Sequence, residues 1–592
     1  MPHSAGTACL RRFGLSNRRR ISRREIDGDK QEHWPDNISP LLQRVLSSRG
    51  LSPEVLDCSL RRMIPVSKLE NTDLAAERLM QARERQEKVL VLGDFDADGA
   101  TATALVMSCL RAYGFRHCDF LVPDRQRFGY GLSAEIVDFA AASGPNLIVT
   151  VDNGISSHAG VAAASQADMD VLITDHHLPG ETLPAARVIV NPNLPDSRFG
   201  SKALAGVGVA FYVMAALGQR LVSEGLLAND EVRNICASCL DLVALGTVAD
   251  LVPLDYNNRI LVTQGLQRMR SDSCRPGIVA LFSVANRNRL DCTTADLGFA
   301  IAPRLNAAGR LTDMTVGINC LLAESDEEAQ LLASELSRLN EHRKEVQASM
   351  QAEAEGLINQ LEAGLGQAIS DAICLFEPDW HQGIVGLVAT RIKERINRPV
   401  IAFAPDESGS TLKGSGRSVS GVHMRDVLAG IDARYPGLID KFGGHAMAAG
   451  LSLPADKLDI FKEAFAEEVS RYADQIDEVD HVWSDGELAT EDFSLQTAEK
   501  LRYAAPWGQG CPEPVFDGRF EIVDKRIVGG NHLKLKVRPV GSEQAIDGIC
   551  FNQTELPAGK ALTEYRLAFK LDVNEFRNQR THQLVVEHIE CV

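Results

Sequence analysis

The hexapeptide Asp94-Phe95-Asp96-Ala97-Asp98-Gly99 closes the apolar run Val89-Leu90-Val91-Leu92. This pairing constrains the fold more than any other stretch. The apolar run reads as a buried strand and the residues from Ala100 to Tyr113 as a helix, which is the opening of a βαβ unit. Alternate residues of an extended chain point the same way, so Asp94, Asp96 and Asp98 are expected to converge just past the strand. Three carboxylates that close repel one another unless cations neutralise them. A site for hard divalent metals is the simplest resolution.

Three further motifs repeat the theme: Val151-Asp152-Asn153-Gly154, Thr174-Asp175-His176-His177 and Thr247-Val248-Ala249-Asp250. The first two also follow β-branched apolar runs, Leu147–Thr150 and Val171–Ile173. One Asp after a strand is commonly a loop or N-cap residue. Several such motifs at successive strand ends are harder to reach by accident, and that edge of an open α/β sheet is where ligands bind. Oxygen-rich ligands with one or two histidines suit manganese or magnesium rather than structural zinc.

The ordered motifs Asp94-x-Asp96-x-Asp98, Asp152-Asn153, Asp175-His176-His177 and Asp250 resemble those of the DHH phosphoesterases. More narrowly, the chain is similar to their single-strand-specific exonuclease branch. Ala302-Pro303-Arg304-Leu305-Asn306-Ala307-Ala308-Gly309-Arg310, Trp380-His381-Gln382-Gly383, Lys413-Gly414-Ser415-Gly416-Arg417-Ser418 and Gly443-Gly444-His445-Ala446 fit the same branch, and the likeness runs from about Ile21 onward. The resemblance assigns Asp94, Asp96, Asp98, Asp152, His176 and Asp250 to two metals, manganese or magnesium, with Asp152 bridging. Asp94 could instead stand behind the ligands. Two ions roughly 3.5–4 Å apart suit in-line attack at phosphorus. Asp175 would orient one histidine, and His177 would contact phosphate or assist proton transfer.

The same resemblance implies an α/β protein with a parallel-sheet DHH domain, a long connector helix, a second α/β DHH-associated domain and a C-terminal OB-like β-barrel. It implies 5′-to-3′ digestion of single-stranded DNA to mononucleotides in recombination and repair, alongside single-strand-binding protein and a helicase. Nothing in the residue chemistry itself sets polarity. A relative acting on short oligonucleotides or cyclic dinucleotides would share the metal motifs. A non-catalytic single-strand-binding scaffold would be expected to have lost some of them.

The rest of the chain supports this division. A chain of 592 residues exceeds one core and predicts about three domains. The expected organisation is a basic N-terminal tail over 1–38, the metal-binding domain over 39–270, a helical connector over 271–364, the associated domain over 365–475 and the β domain over 476–592. Lys88 to Asp196 alternates strands and helices, with strands at Val89–Leu92, Asp119–Val122, Leu147–Val151, Val171–Thr174 and Val188–Val190. Ser325 with Glu328 forms a capping box, and no Gly or Pro follows until Gly356. Val515 to Val592 shows β-like runs without clear helices between them.

A phosphate grip is expected from Ser415, Gly416 and Arg417, through exposed backbone N–H groups and a guanidinium. Gly444 and His445 would add to it at the start of a following helix. Arg125, Arg304 and Arg310 are weaker substrate-contact candidates, since structural ion pairs explain such arginines as often. Lys534, Lys536 and Arg538 alternate along one β-like run beside Phe516 to Phe520, a combination that suits a single strand.

The net charge of −18 argues against a protein coated in positive charge. Lys413, Arg417, His423, Arg425, Arg434, Lys441 and His445 nevertheless allow a narrow basic groove. Thirteen cysteines without a disulfide pattern fit a reducing cytoplasm. Cys236 and Cys239 have redox or zinc spacing but no second pair nearby. No apolar run is expected to reach the length of a membrane span. The Arg-rich start lacks the apolar core of a secretory signal, which leaves a disordered tail, an upstream start codon or an amphipathic transit peptide.

Overall fold

The structure, a computed structural model, describes residues 19–25, 33–123, 131–365, 372–406, 408–472, 480–557, 564–576 and 579–591. A short strand, β1 (Arg19–Arg23), precedes the first sheet. That sheet consists of β2 (Val89–Leu92), β3 (Cys118–Leu121), β4 (Leu147–Val151), β5 (Asp170–Thr174) and β6 (Val188–Val190). All pairs are parallel, in the order β3-β2-β4-β5-β6. Every residue of β2 and β4 is buried, because helices cover both faces of a parallel sheet. Val89, Val91, Val149 and Val151 share a core with the helices Ala97–Ala112 and Gly206–Ser223. Leu92, Ile148 and Ile173 pack on the opposite face with the helices Ala134–Ala141 and His158–Gln166. Each such side chain contributes about 1.5–3 kcal/mol on burial.

The connector is one helix, Asp326–Leu365, of 40 residues. The Ser325 hydroxyl accepts the Glu328 N–H at 3.2 Å, as the capping box predicts. Gly356 does not break this helix. Its first half, at Ala329, Ala333 and Leu336, joins the core of the first unit. Met350 and Ala354 join the core around Ile384 and Val388 of the second α/β unit. The second sheet has β7 (Ile373–Phe376), β8 (Val400–Pro405), β9 (Thr411–Arg417), β10 (Lys441–Gly444) and β11 (Ala448–Pro454), ordered β10-β11-β9-β8-β7. Only β7 and β8 pair in parallel, joined by the helix Val385–Ile396.

Strand β12 (Asp480–Ser484) pairs in parallel with β1, setting Ile21 opposite Val482. Part of the segment read as a basic tail is therefore a strand. Ile21 is buried with Val482 and Ala568, and Arg23 donates two hydrogen bonds of 2.9 Å to the Asp517 carboxylate. A closed barrel follows: β13 (Phe516–Val528), β14 (His532–Pro539), β15 (Ile546–Cys550), β16 (Glu564–Phe576) and β17 (Gln579–Cys591), ordered β13-β14-β15-β17-β16. Closure removes the exposed edges of an open sheet. One continuous hydrophobic core runs from the first sheet through Phe493 and Trp507 into this barrel.

By length and composition alone, Gly206–Ser223 and Asn229–Ala249 could cross a membrane, which corrects the expectation that no run is long enough. Their apolar windows are 72% and 56% buried inside the fold, the first against the sheet and the second among the helices Ala97–Ala112, Gly206–Ser223 and Tyr256–Met269. The Cys236–Cys239 pair also has an interior role. Cys239 Sγ lies 3.6 Å from Cys109 Sγ, and Cys236 Sγ lies 3.6 Å from the Tyr113 hydroxyl.

Candidate metal centre

The carboxyl ends of β2, β4 and β5 deliver Asp94, Asp152 and Asp175-His176-His177 to one edge of the sheet. Asp250 arrives differently, as the C-cap of the helix Leu240–Ala249. The triple-Asp motif converges, but not by strand alternation. Its helix starts at Ala97, so Asp96 is the N-cap, accepting the Gly99 N–H at 3.0 Å, and Asp98 lies in the first turn. Gly99 makes this turn possible, because a Cβ there would sit 2.7 Å from Asp94 N and Cβ.

The ligand atoms fall into overlapping sets. Asp94, Asp96 and Asp152 bring oxygens within 4.8 Å of one another. The ligand atoms of Asp98, His176 and Asp250 lie as close together, and so do those of Asp152, His176 and His177. Asp152 and His176 are each shared by two sets, which suits two adjacent cations. His176 Nε2 lies 3.1 Å from Asp152 Oδ1 and 3.5 Å from Asp250 Oδ2. Burial lowers the His176 pKa to about 4, helped by the positive charge of His177, so the ring is neutral at pH 7. His176 Nε2 and Asp250 Oδ2 are buried and make no hydrogen bond. A cation is the group that such facing acceptors fit.

Burial first, and neighbouring carboxylates second, push Asp98 up to about 7 and hold Asp152 and Asp250 well above the carboxylate range. The Gly206 and Val207 N–H groups oppose this at Asp98, donating to its two oxygens at 2.7 and 2.9 Å from the start of their helix. Gly206 also lets the start of this helix pack against Asp152, since a Cβ there would stand 2.5 Å from Asp152 Oδ1. Asp152 itself has φ +62° and Leu251, just after Asp250, has φ +58°. Left-handed backbone at non-glycine residues stores strain and clusters at functional sites.

Asp175 is buried and organises both histidines. Its Oδ1 accepts the His177 Nδ1–H at 2.8 Å and the His176 and His177 N–H groups at 2.7 and 3.0 Å. Its Oδ2 accepts the Ile155 N–H at 2.9 Å. Burial works to raise the Asp175 pKa, but the hydrogen bond and charge of the His177 ring, together with the backbone N–H groups of His177 and Ile155, outweigh it and the net shift is downward. Burial likewise pulls His177 down, and the hydrogen bond and charge of Asp175, joined by the charges of Asp94 and Asp96, more than reverse it.

Some predicted substrate contacts sit elsewhere than expected. Gly414 to Arg417 form part of β9, which pairs with both β8 and β11, so the N–H groups serve the sheet and are not offered to an anion. The side chains still alternate. Lys413, Ser415 and Arg417 share the more open face, opposite buried Leu412, Gly414 and Gly416. Arg417 donates to Ser415 Oγ at 3.0 Å and Thr390 Oγ1 at 3.1 Å.

Gly443-Gly444-His445 leads into a β-hairpin and not a helix, since the His445 N–H donates to Ala448 O at 2.7 Å. His445 faces the first unit, and its pKa is lowered by burial and then by the charge of His177. Arg434, expected in a basic groove, is spent on Glu467 and Glu468. Arg304 is buried and donates to Ala300 O at 2.6 Å, a structural role. Arg310 donates to Gly383 O at 3.0 Å and ties the two α/β units together. Arg125 lies outside the described residues.

Sequence reasoning missed Asn306, whose Oδ1 accepts the Ala97 N–H at 2.8 Å and so braces the triple-Asp turn. Its signal was the motif Ala302–Arg310, in which only the arginines drew attention. In the barrel, Phe516 and Phe520 are core residues packed with Phe569, so they are not available for base stacking. Lys534, Lys536 and Arg538 do share one face, opposite buried Leu533, Leu535 and Val537. Lys534 pairs with Asp547 at 3.0 Å.

Three family models match: the DHH family N-terminal domain over residues 88–247, the DHHA1 domain over 367–471 and the RecJ OB domain over 484–588. The chain is 52% identical over 558 residues to the single-stranded-DNA-specific exonuclease RecJ of Dickeya dadantii, covering 94% of this chain and 96% of that one. It is 51% identical over 573 residues to the RecJ of Escherichia coli, covering 96% and 98%. Among solved structures, RecJ from Thermus thermophilus in complex with Mn2+ superposes with a TM-score of 0.76 at 28% identity, covering 94% of this chain and 76% of that one. The Mg2+ complex of the same protein gives a TM-score of 0.70 at 27% identity, covering 94% and 75%. With near-complete coverage at about half identity, and with all three domain models in order, the chain belongs to the RecJ family.

Proposed function

We propose that this protein is a metal-dependent exonuclease that hydrolyses single-stranded DNA from the 5′ end to mononucleotides. The observation that carries the reading is the buried cluster of Asp94, Asp96, Asp98, Asp152, His176 and Asp250, in which His176 Nε2 and Asp250 Oδ2 lack hydrogen-bond partners. Those residues would hold two manganese or magnesium ions. When bound, the ions supply Lewis acidity toward the phosphodiester and acidify a water.

The chain's own residues do the rest. Asp175 fixes the ring of His177, leaving Nε2 to meet a phosphate oxygen or carry a proton. Ser415, Arg417 and His445 approach from the second α/β unit and would hold the terminal phosphate, which would give the enzyme its polarity. The relatives are single-stranded-DNA-specific exonucleases, which supports single-stranded DNA as the substrate; the setting we propose is recombination and repair in the cytoplasm, with a helicase and single-strand-binding protein as partners.

The test is manganese-dependent digestion of single strands, duplexes and dinucleotides, each labelled at the 5′ or the 3′ end. Immediate release of 5′ label as mononucleotide, from single strands only, is expected. Digestion restricted to dinucleotides, or release of 3′ label first, would overturn the reading.

A further inference from the structure

A cavity of about 430 Å3 lies where the barrel unit meets the first unit. One wall is the helix Tyr256–Met269, with Arg259 on it, and another is the segment from Arg502 to Trp507. The seam closes beside the cavity. The Leu254 N–H donates to Gln509 O at 2.7 Å, and Thr294 Oγ1 donates to Trp507 O at 2.5 Å. None of the metal-centre residues lines this space. The helix Tyr256–Met269 packs on Leu240–Ala249 after a short connection, so it runs back from Asp250 and the cavity lies along a path away from the metals.

The charges in the cavity do not balance. Arg259 is only 7% exposed. Its Nη1 donates to Leu254 O at 2.7 Å, while its buried Nε makes no hydrogen bond. Among the described residues no carboxylate pairs with it. The thiols of Cys58 and Cys511 beside it do not compensate, because burial raises the pKa of both. Arg270, also in the lining, is spent on the Cys292 carbonyl at 3.0 and 2.6 Å and has no carboxylate either. The two acids of the lining are engaged elsewhere, Glu513 with Lys570 at 2.8 Å and Asp572 with Arg502 at 3.8 Å. A buried charge without a counterion is costly, and an anion entering the cavity relieves that cost. An aromatic face stands next to these cations. Tyr503 is 40% exposed, and its ring centre lies 5.4 Å from the Arg270 guanidinium and 5.9 Å from that of Arg502.

Cavities of about 300–1,000 Å3 hold small organic ligands. A guanidinium selects phosphate, and an accessible aromatic ring selects a planar base. We propose that this cavity is a second, non-catalytic site for a deoxynucleoside 5′-monophosphate, with the phosphate on Arg259 and the base against Tyr503. The inference rests on the exonuclease reading above, because that reaction releases this ligand from the same molecule. Bound there, the nucleotide bridges the helix Tyr256–Met269 and the segment that leads into the barrel, and so clamps the two units together.

Calorimetry of the manganese-loaded Arg417→Ala protein, whose phosphate grip beside the metals is removed, should still show dTMP binding. Adding Tyr503→Ala should weaken dTMP by about fivefold or more and leave inorganic phosphate unchanged. Adding Arg259→Gln should weaken dTMP and inorganic phosphate alike, by about tenfold or more. In otherwise wild-type protein both substitutions should leave digestion of oligo(dT) at the wild-type rate, which shows that the variants fold. If Arg259→Gln does not fold, Tyr503→Ala decides alone, since its side chain is partly in solvent. Absence of dTMP binding to the Arg417→Ala protein would overturn the site. Equal dTMP affinity with and without Tyr503→Ala would also overturn it, because the nucleotide would then be bound elsewhere. Wild-type digestion of oligo(dT) is measured alongside. Its failure counts against the exonuclease reading, whereas a digesting enzyme that binds no dTMP outside the metal centre counts against the cavity.

Discussion

Asp175→Asn tests the support of the histidine pair. The carboxylate is buried and accepts four hydrogen bonds, three on Oδ1 and one on Oδ2. The isosteric amide can keep its carbonyl toward the histidines. Its NH2 group then faces the Ile155 N–H, donor against donor. One charge-assisted hydrogen bond is lost and one buried N–H is left unsatisfied, partly offset by removing a buried charge, so a loss of about 2–4 kcal/mol is expected. The folded-state pKa of Asp175 is depressed. Its contribution is therefore present above the unfolded pKa of about 3.9 and is lost as pH falls through the folded value.

Urea denaturation of both proteins should show the full difference at pH 7 and a shrinking one below about pH 4. Manganese-dependent turnover should fall on the order of 10–100-fold, the usual cost of removing a carboxylate that orients a ligand shell. A stability change within about 0.5 kcal/mol at pH 7, the range of an ordinary surface substitution, would refute the assignment.

Four other outcomes are expected. Asp152→Asn, which tolerates the left-handed backbone at this position, should leave the fold intact and cut hydrolysis at least on the order of a hundredfold; near-normal turnover in saturating manganese would exclude a bridging role. Arg417→Ala should weaken single-strand binding about tenfold with metal affinity preserved, as read by strand and manganese titrations. Without metal, the raised pKa values of Asp98, Asp152 and Asp250 make stability fall as pH rises above about 4, against the smaller opposite effect of His176. Manganese should therefore raise the melting temperature more at pH 8 than at pH 5.5, and an equal shift at both would contradict the cluster's role. Lys534→Ala with Lys536→Ala should flatten the salt dependence of strand binding by about 1.4 in log–log slope; an unchanged slope would mean that this face of β14 does not meet DNA.

The parallel sheet was legible because buried strands leave uninterrupted apolar runs, and because acidic motifs at their ends mark the ligand edge. Asp94, Asp152, Asp175 and His176 could be picked out on that basis, whereas Asp250, the C-cap of a helix, came from the family resemblance. How the triple-Asp motif converges could not. It depends on a helix that begins three residues early, and that start is fixed by Gly99, by Asn306 some two hundred residues away and by the N–H groups of Gly206 and Val207. The same limit explains the errors in the second unit. Gly-rich runs read as loops because small residues weaken strand propensity, yet Gly414 and Gly416 sit in a central strand. There they pack against Phe403, Met424 and Leu451, where a Cβ would find no room. Phe516 and Phe520 show the converse. They read as an aromatic stretch beside a basic run, but which side chains close into the barrel is set by packing against Phe569.

The uninterrupted core linking the first sheet to the barrel has a thermodynamic consequence. The barrel and the metal-bearing sheet should melt together as one cooperative block, while the second α/β unit, with two cores of its own, can open separately at the far end of the connector helix. Amide exchange would then report two protection classes. The slow class would include strands as far apart in sequence as β4 and β16. The faster class would be β7 to β11, whose partial opening would part Ser415 and Arg417 from the metals without unfolding the site that holds them.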